Sequence, residues 1–107
     1  MVNKYLNNNE RIVYQSCSSV VLDNDPGFYA YLTNKRLIFL NRTGLFFKND
    51  RLVDLLLKHV VGVNIIDEGL IFKKRYLHIR SSSSTIKLFG KKSDLHDLHK
   101  MLNQQII

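Results

Sequence analysis

From Glu10 to Phe89 the chain alternates short runs of β-branched, aromatic and leucine residues with clusters of Asp, Asn, Gly and Ser, spaced as in an antiparallel meander. The first run, Arg11 to Val21, meets Asp23, Asn24, Asp25, Pro26 and Gly27, a turn cluster because Pro fixes φ and Gly admits positive φ. Phe28 to Thr33 and Arg36 to Asn41 then predict a hairpin, with Asn34 suited to a left-handed turn position. Within its first strand Phe28, Ala30 and Leu32 oppose Tyr29, Tyr31 and Thr33, which gives two distinct faces. Further strands are expected over Leu52 to Leu57, Val60 to Ile66, Tyr76 to Arg80 and Thr85 to Phe89, separated by Asp67, Glu68 and Gly69 and by the Ser81 to Ser84 run.

After Gly90 the hydrophobic period lengthens. Leu95, Leu98, Leu102 and Ile106 recur on one face of a helix that Ser93 would cap and whose first turn Asp94 would suit. Seven strands and one helix predict a mainly β domain over residues 10–105, a bent sheet or partly open barrel capped by the C-terminal helix. Residues 1–9, with the run Asn7, Asn8, Asn9, form a frayed or locally helical lead-in. The expected core holds Val13, Leu32, Leu37, Phe39, Val61, Val63, Leu77, Ile79 and Leu88 with Leu95, Leu98 and Leu102 of the helix.

Composition narrows the class. A chain of 107 residues with 45% hydrophobic content can bury about two thirds of its surface, enough for one domain without staples. The single Cys17 excludes an internal disulfide or a multi-cysteine metal site, and it is expected as a small buried residue in a reducing, cytosolic setting. The most apolar stretch, Leu52 to Ile66, is interrupted by Asp54, Lys58, His59 and Asn64, so neither a signal peptide nor a membrane span is expected. Sixteen Lys and Arg against nine Asp and Glu leave a formal charge of +7, which favours anionic partners: a membrane surface, an acidic protein or nucleic acid.

Candidate chemistry is sparse. His96 and His99 lie three apart on the helix, but no third or fourth ligand is announced, so no metal and no cofactor are expected. His59 and His78 fall in strands without a paired nucleophile, no phosphate-binding glycine loop is present, and an enzyme is not expected. The basic residues are more informative. Lys73, Lys74 and Arg75 follow Leu70, Ile71 and Phe72, an apolar tip beside a basic base. Leu45, Phe46, Phe47 and Lys48, with Arg42 nearby, make a second such segment. Both segments could equally be core residues beside solvated charges. Nucleic acid is disfavoured, because Tyr29, Tyr31 and Tyr76 alternate as sheet residues do and no RRM-like aromatic motif occurs.

Glu10 to Val13 before a strand, and Phe28, Tyr29, Ala30, Tyr31, Leu32, Thr33, Asn34, Lys35, Arg36, Leu37, Ile38, Phe39, resemble the opening glutamate and the central "leucine, threonine, two residues, arginine, leucine" hairpin of the pleckstrin-homology-like superfamily. The GRAM, GLUE and bacterial PH branches fit best, and Leu55 to Val63 and the C-terminal helix extend the resemblance over about residues 10–105. It implies a fold more than a ligand. Many members bind phosphoinositides or other anionic lipids, some bind proteins, and GLUE members of the ESCRT machinery join lipid to ubiquitin binding. On that resemblance Lys73, Lys74, Arg75, Phe72, Lys48 and Arg42 would be lipid-binding residues. In the alternative, Leu45, Phe46, Phe47, Leu70 and Ile71 would dock ubiquitin or an ESCRT-type partner. Either use implies a cytoplasmic, peripheral membrane location within a larger assembly. The family's usual head-group motif is basic in the loop between the first two strands, whereas this chain has Asp23 and Asp25 there, so a conventional pocket is not expected.

Overall fold

The structure is a computed structural model that describes residues 2–43, 49–71 and 74–106, and of Arg42, Thr43 and Asn49 the backbone alone. Among the described residues it comprises β1 (Ile12–Gln15), β2 (Val20–Leu22), β3 (Asp25–Thr33), β4 (Arg36–Thr43), β5 (Asn49–Leu56), β6 (Val60–Glu68), β7 (Lys74–Ser81), β8 (Thr85–Phe89) and α1 (Lys92–Ile106), with 3-10 turns at Val2–Tyr5 and Leu57–His59. The antiparallel strands run in the order β5-β4-β3-β2-β8-β7-β6, and β1 pairs with β3 as well. This is the expected mainly β architecture with a capping helix.

The first expected strand is broken in two. β1 lies along the Tyr31–Thr33 end of β3, and β2 along its Asp25–Phe28 end. The break falls at a run of small polar residues, Ser16 to Ser19, where a side chain can replace the backbone ladder. Ser16 Oγ accepts from Ala30 N at 3.1 Å and Ser16 N donates to Ala30 O at 2.9 Å. From there β2 turns to pair with β8, so the sheet bends around β3 and the two halves enclose one core. Cys17, expected to be buried, sits in this break and is exposed.

Alternation decides which residues enter that core. Phe28, Ala30 and Leu32 point inward with Leu37 and Phe39, while Tyr31, Ile38 and Leu40 point outward. The outer face is also covered: the N-terminal turn lays Val2, 4% exposed, against Tyr31, Ile38 and Leu40. Burial on both faces accounts for the uninterrupted Leu37-Ile38-Phe39-Leu40 run. The helix closes the open side through Leu95, Leu98 and Leu102, all fully buried.

Several local expectations are corrected. The turn after β2 is only Asp23-Asn24, since β3 already starts at Asp25. Asn9 and Asp23, not Asn34, hold the left-handed conformation, at φ 67° and 56°. Asn34 instead accepts from Arg11 N at 2.9 Å and donates to Asn9 O at 3.2 Å. Val61 is 65% exposed rather than core, because the β6–β7 register slips between Val60 and Gly62 and the extra residue faces outward. His59 belongs to a 3-10 turn, not a strand. Ser93 lies inside the helix rather than capping it, since Leu95 N already donates to Lys91 O at 3.0 Å.

Candidate functional site

The β6–β7 hairpin carries the most exposed apolar residues described. Its strands pair Ile66 with Tyr76, Asp67 with Arg75 and Glu68 with Lys74 before the chain turns through Gly69 at φ 112°, a conformation that favours glycine. Leu70 is 99% and Ile71 86% exposed, and Lys74 beyond them is exposed as well. Two of the residues expected here, Phe72 and Lys73, lie outside the described residues. Arg75 is held in place. Its Nε and Nη2 donate to Asp67 at 2.7 and 3.1 Å, and its Nη1 stands 3.1 Å from His96 Nε2 on α1. The Asp67 carboxylate raises the Arg75 pKa.

Of the second expected segment, Leu45, Phe46, Phe47 and Lys48 lie outside the described residues, and so does the Arg42 side chain. Among the described residues, β2, β3, β5 and β8 come together around one groove. It holds about 480 Å³ and is lined by Leu22, Asn24, Phe28, Arg51, Val53 and Ile86, with Asp23 and Asp25 beside them. Arg51 is its single described cation, stacked 5.4 Å from the centre of the Phe28 ring and paired with Asp25, whose pKa that hydrogen bond lowers. Asp23 accepts from Lys87 N at 3.0 Å. Among the described residues this groove therefore carries two carboxylates, Asp23 and Asp25, and one cation, Arg51.

Two charged groups named in the sequence, Asp94 and Arg36, organise the scaffold through partners that the sequence did not indicate. Asp94, 2% exposed, accepts from Tyr14 Oη at 3.0 Å, Cys17 N at 2.9 Å and Ser18 N at 3.2 Å. It ties α1 to the β1–β2 break, and burial with the Asp94 hydrogen bond pushes the Tyr14 hydroxyl up. Arg36 donates to Glu10 from Nε at 2.9 Å and Nη2 at 3.2 Å, to Asp54 from Nη1 at 2.8 Å, and to the Tyr5 carbonyl. Burial opposes ionisation of Glu10, but hydrogen bonds from Arg36, Asn7 N and Thr33 Oγ1 outweigh it and hold the carboxyl at about 2. The Thr33 and Arg36 of the hairpin motif are therefore structural. The one available signal was that motif's Thr and Arg lying in an otherwise apolar hairpin.

His99 meets Asn103 at 3.3 Å, and among the described residues no three His, Cys, Asp or Glu side chains converge as metal ligands do. No helix among them is long and apolar enough to cross a membrane.

A bent antiparallel sheet whose open side is closed by one C-terminal helix defines a PH-like domain, a class that generally works as a non-catalytic binding module. A family model described as Bacterial PH domain matches residues 6–104, and the chain belongs to that family. Among solved structures it is similar to a pleckstrin homology domain from Shewanella amazonensis SB2B, at TM-score 0.67 and 17% identity over 98% of this chain and 91% of that one. It is similar too to a DUF1696 family protein with a pleckstrin-homology domain from Shewanella loihica PV-4, at TM-score 0.67 and 17% identity over 99% of this chain and 87% of that one. No curated protein matches. At such identities the likeness speaks for the fold alone.

Proposed function

We propose that this chain is a non-catalytic module that attaches to anionic membrane surfaces, phosphoinositide-bearing ones included, from the cytoplasmic side through its β6–β7 tip. The observation that carries the reading is the exposure of Leu70 and Ile71 at the tip of a hairpin whose returning strand begins with the exposed Lys74. A large apolar side chain moved out of water contributes about 2 kcal/mol. A lysine near an anionic leaflet adds about 1 kcal/mol. Two such side chains with Lys74 supply about 5 kcal/mol, a dissociation constant on the order of 0.2 mM. Attachment of a single copy is weak, so the module works within a larger assembly whose several copies or partners add avidity.

Flotation with vesicles of phosphatidylcholine alone, and of phosphatidylcholine with phosphatidylglycerol, tests the reading. Binding is expected only with the anionic lipid, is expected to fall between low and physiological salt, and is expected to be lost in the double variant Leu70→Ser/Ile71→Ser. The GLUE-type alternative uses the same tip to dock ubiquitin or an ESCRT-type partner. Tip-dependent chemical-shift changes with ubiquitin, and none with short-chain anionic lipid, would replace the membrane reading with that one.

A further inference from the structure

Three turns meet at the end of the β6–β7 hairpin that lies away from Leu70 and Ile71. Leu57 N donates to Lys35 O at 3.0 Å, Ser82 N to His59 O at 3.0 Å, and Asn34 N to Arg11 O at 3.1 Å. These backbone bonds draw the start of β1, the β3–β4 turn, the 3-10 turn Leu57–His59 and the β7–β8 turn into one continuous surface. Since β7 runs from Lys74 to Ser81, the rise of an antiparallel strand sets this surface ~23 Å from the tip end of the hairpin.

Its cations are uncommitted. Arg11, Lys35, Lys58 and Arg80 are all exposed, and among the described residues the side chain of none has an ion-pair or hydrogen-bond partner. The carboxylates beside them, Glu10 and Asp54, both face Arg36, and the cations outnumber them. Arg80 is seated in place: its guanidinium lies across Gly62, where a Cβ would stand 2.3 Å from Nη2. A group already held in position loses little freedom on binding, and all five N–H donors of this one remain available to carboxylates. Apolar surface accompanies the charge. Leu56, 39% exposed, precedes the 3-10 turn, and Val61, 65% exposed, follows it where the β6–β7 register slips, the kind of irregularity that re-aims a side chain.

We infer that this surface docks an acidic segment of a partner protein, with Leu56 and Val61 receiving its apolar side chains and Arg11, Lys35, Lys58 and Arg80 its carboxylates. Exposed apolar residues beside cations are the make-up of a protein interface, whose centre is apolar and whose rim is polar. Charge complementarity selects an acidic partner. Single-stranded nucleic acid would answer the same charge, but the turns that build this surface offer no Phe, Tyr or Trp on which a base could stack. The inference goes beyond the membrane reading, which uses the other end of the same hairpin. The ~23 Å between the two ends is about three Debye lengths at physiological salt, so a leaflet met by the tip leaves these cations to a partner.

The probe is a short capped peptide in which pairs of glutamates alternate with single leucines, titrated into the isotopically labelled full chain. Saturable amide shifts are expected at Lys35, Lys58, Val61 and Ser82, with affinity that falls as salt rises. Lys35→Glu/Lys58→Glu should weaken the peptide at least about tenfold, because like charge replaces complementary charge at the contact. Lys91→Glu/Lys92→Glu reverses the same charge at exposed positions where α1 begins, and should weaken it less than about threefold by screening. Val61→Ser removes apolar contact alone and should cost about fivefold. No saturable shift at these amides, or equal losses in the two charge-reversal variants, overturns the inference, and wild-type affinity in Val61→Ser reduces the surface to charge and overturns docking. Tighter binding of oligothymidylate than of the peptide, at equal charge and salt, would replace the protein partner with nucleic acid. Binding to phosphatidylcholine–phosphatidylglycerol vesicles that drops in Lys35→Glu/Lys58→Glu as far as peptide binding does would assign the surface to the membrane instead. Peptide affinity lost in Leu70→Ser/Ile71→Ser would move the peptide to the tip and overturn the inference, whereas peptide affinity retained while even the wild type binds no vesicles would sink the membrane reading alone.

Discussion

Glu10→Gln removes the charge that Arg36 is built to meet. In the wild type the Glu10 side chain is fully buried and accepts from Arg36, Thr33 Oγ1 and Asn7 N. Its pKa is lowered from 4.5 to about 2. At 1.36 kcal/mol per unit this corresponds to roughly 3 kcal/mol of stability at neutral pH. Breaking one partner of a buried ion pair costs about 3 to 5 kcal/mol, an independent route to a similar figure. Since the folded pKa is the lower one, the contribution is complete above the unfolded value of 4.5 and is lost as pH falls through 2. At pH 3 about 1 kcal/mol of it remains. Urea unfolding of wild type and Glu10→Gln at pH 7 and pH 3 measures both quantities. The gap between the two proteins should be about 3 kcal/mol at pH 7 and about 1 kcal/mol at pH 3. A gap under about 1 kcal/mol at pH 7, or one that does not narrow in acid, would refute the assignment of this network as a principal stabiliser.

Leu98→Ala should cost about 2 to 5 kcal/mol in the same assay, because Leu98 is fully buried between helix and sheet; a cost under half a kcal/mol would take the helix out of the core. Asp94→Ala leaves the Cys17 and Ser18 amides and the Tyr14 hydroxyl without their acceptor, so about 2 to 4 kcal/mol should be lost, and hydrogen exchange should accelerate at Cys17 and Ser18 more than in the β3–β4 hairpin. Val61→Lys should change stability by less than about 0.5 kcal/mol while Val63→Lys unfolds the domain, since the bulge turns one outward and leaves the other buried; comparable costs at the two positions would contradict the register.

The elements legible in the sequence are those whose signals are local. The β3–β4 hairpin, β8 over Thr85–Phe89 and the leucine stripe of α1 follow from alternation, turn residues and helical spacing a few positions apart. What was not legible depends on partners far along the chain. The break at Ser16 to Ser19 needs Ala30 and Asp94, and nothing near Cys17 announces that its amide will meet a carboxylate 77 residues away. Val61 reads as core in any two-residue period, and only the pairing of β6 with β7 reveals the slipped residue. Val2 falls in a lead-in read as frayed from its polar neighbours, and it is buried because the outer face of β3 and β4 is apolar. At the candidate site, the apolar and basic character of residues 70 to 75 was visible. That Arg75 is pinned by Asp67 and His96 required the fold.

The chain contains no tryptophan, so Leu70→Trp places a single indole at the tip on which the membrane reading depends. Emission of this variant, titrated with phosphatidylcholine–phosphatidylglycerol vesicles, is the most direct test. The account predicts a blue shift that grows with anionic lipid and quenching by bromines placed in the acyl chains, as expected of an indole at the membrane interface. Emission that stays at its aqueous position, with no quenching, at lipid concentrations well above a millimolar would contradict it.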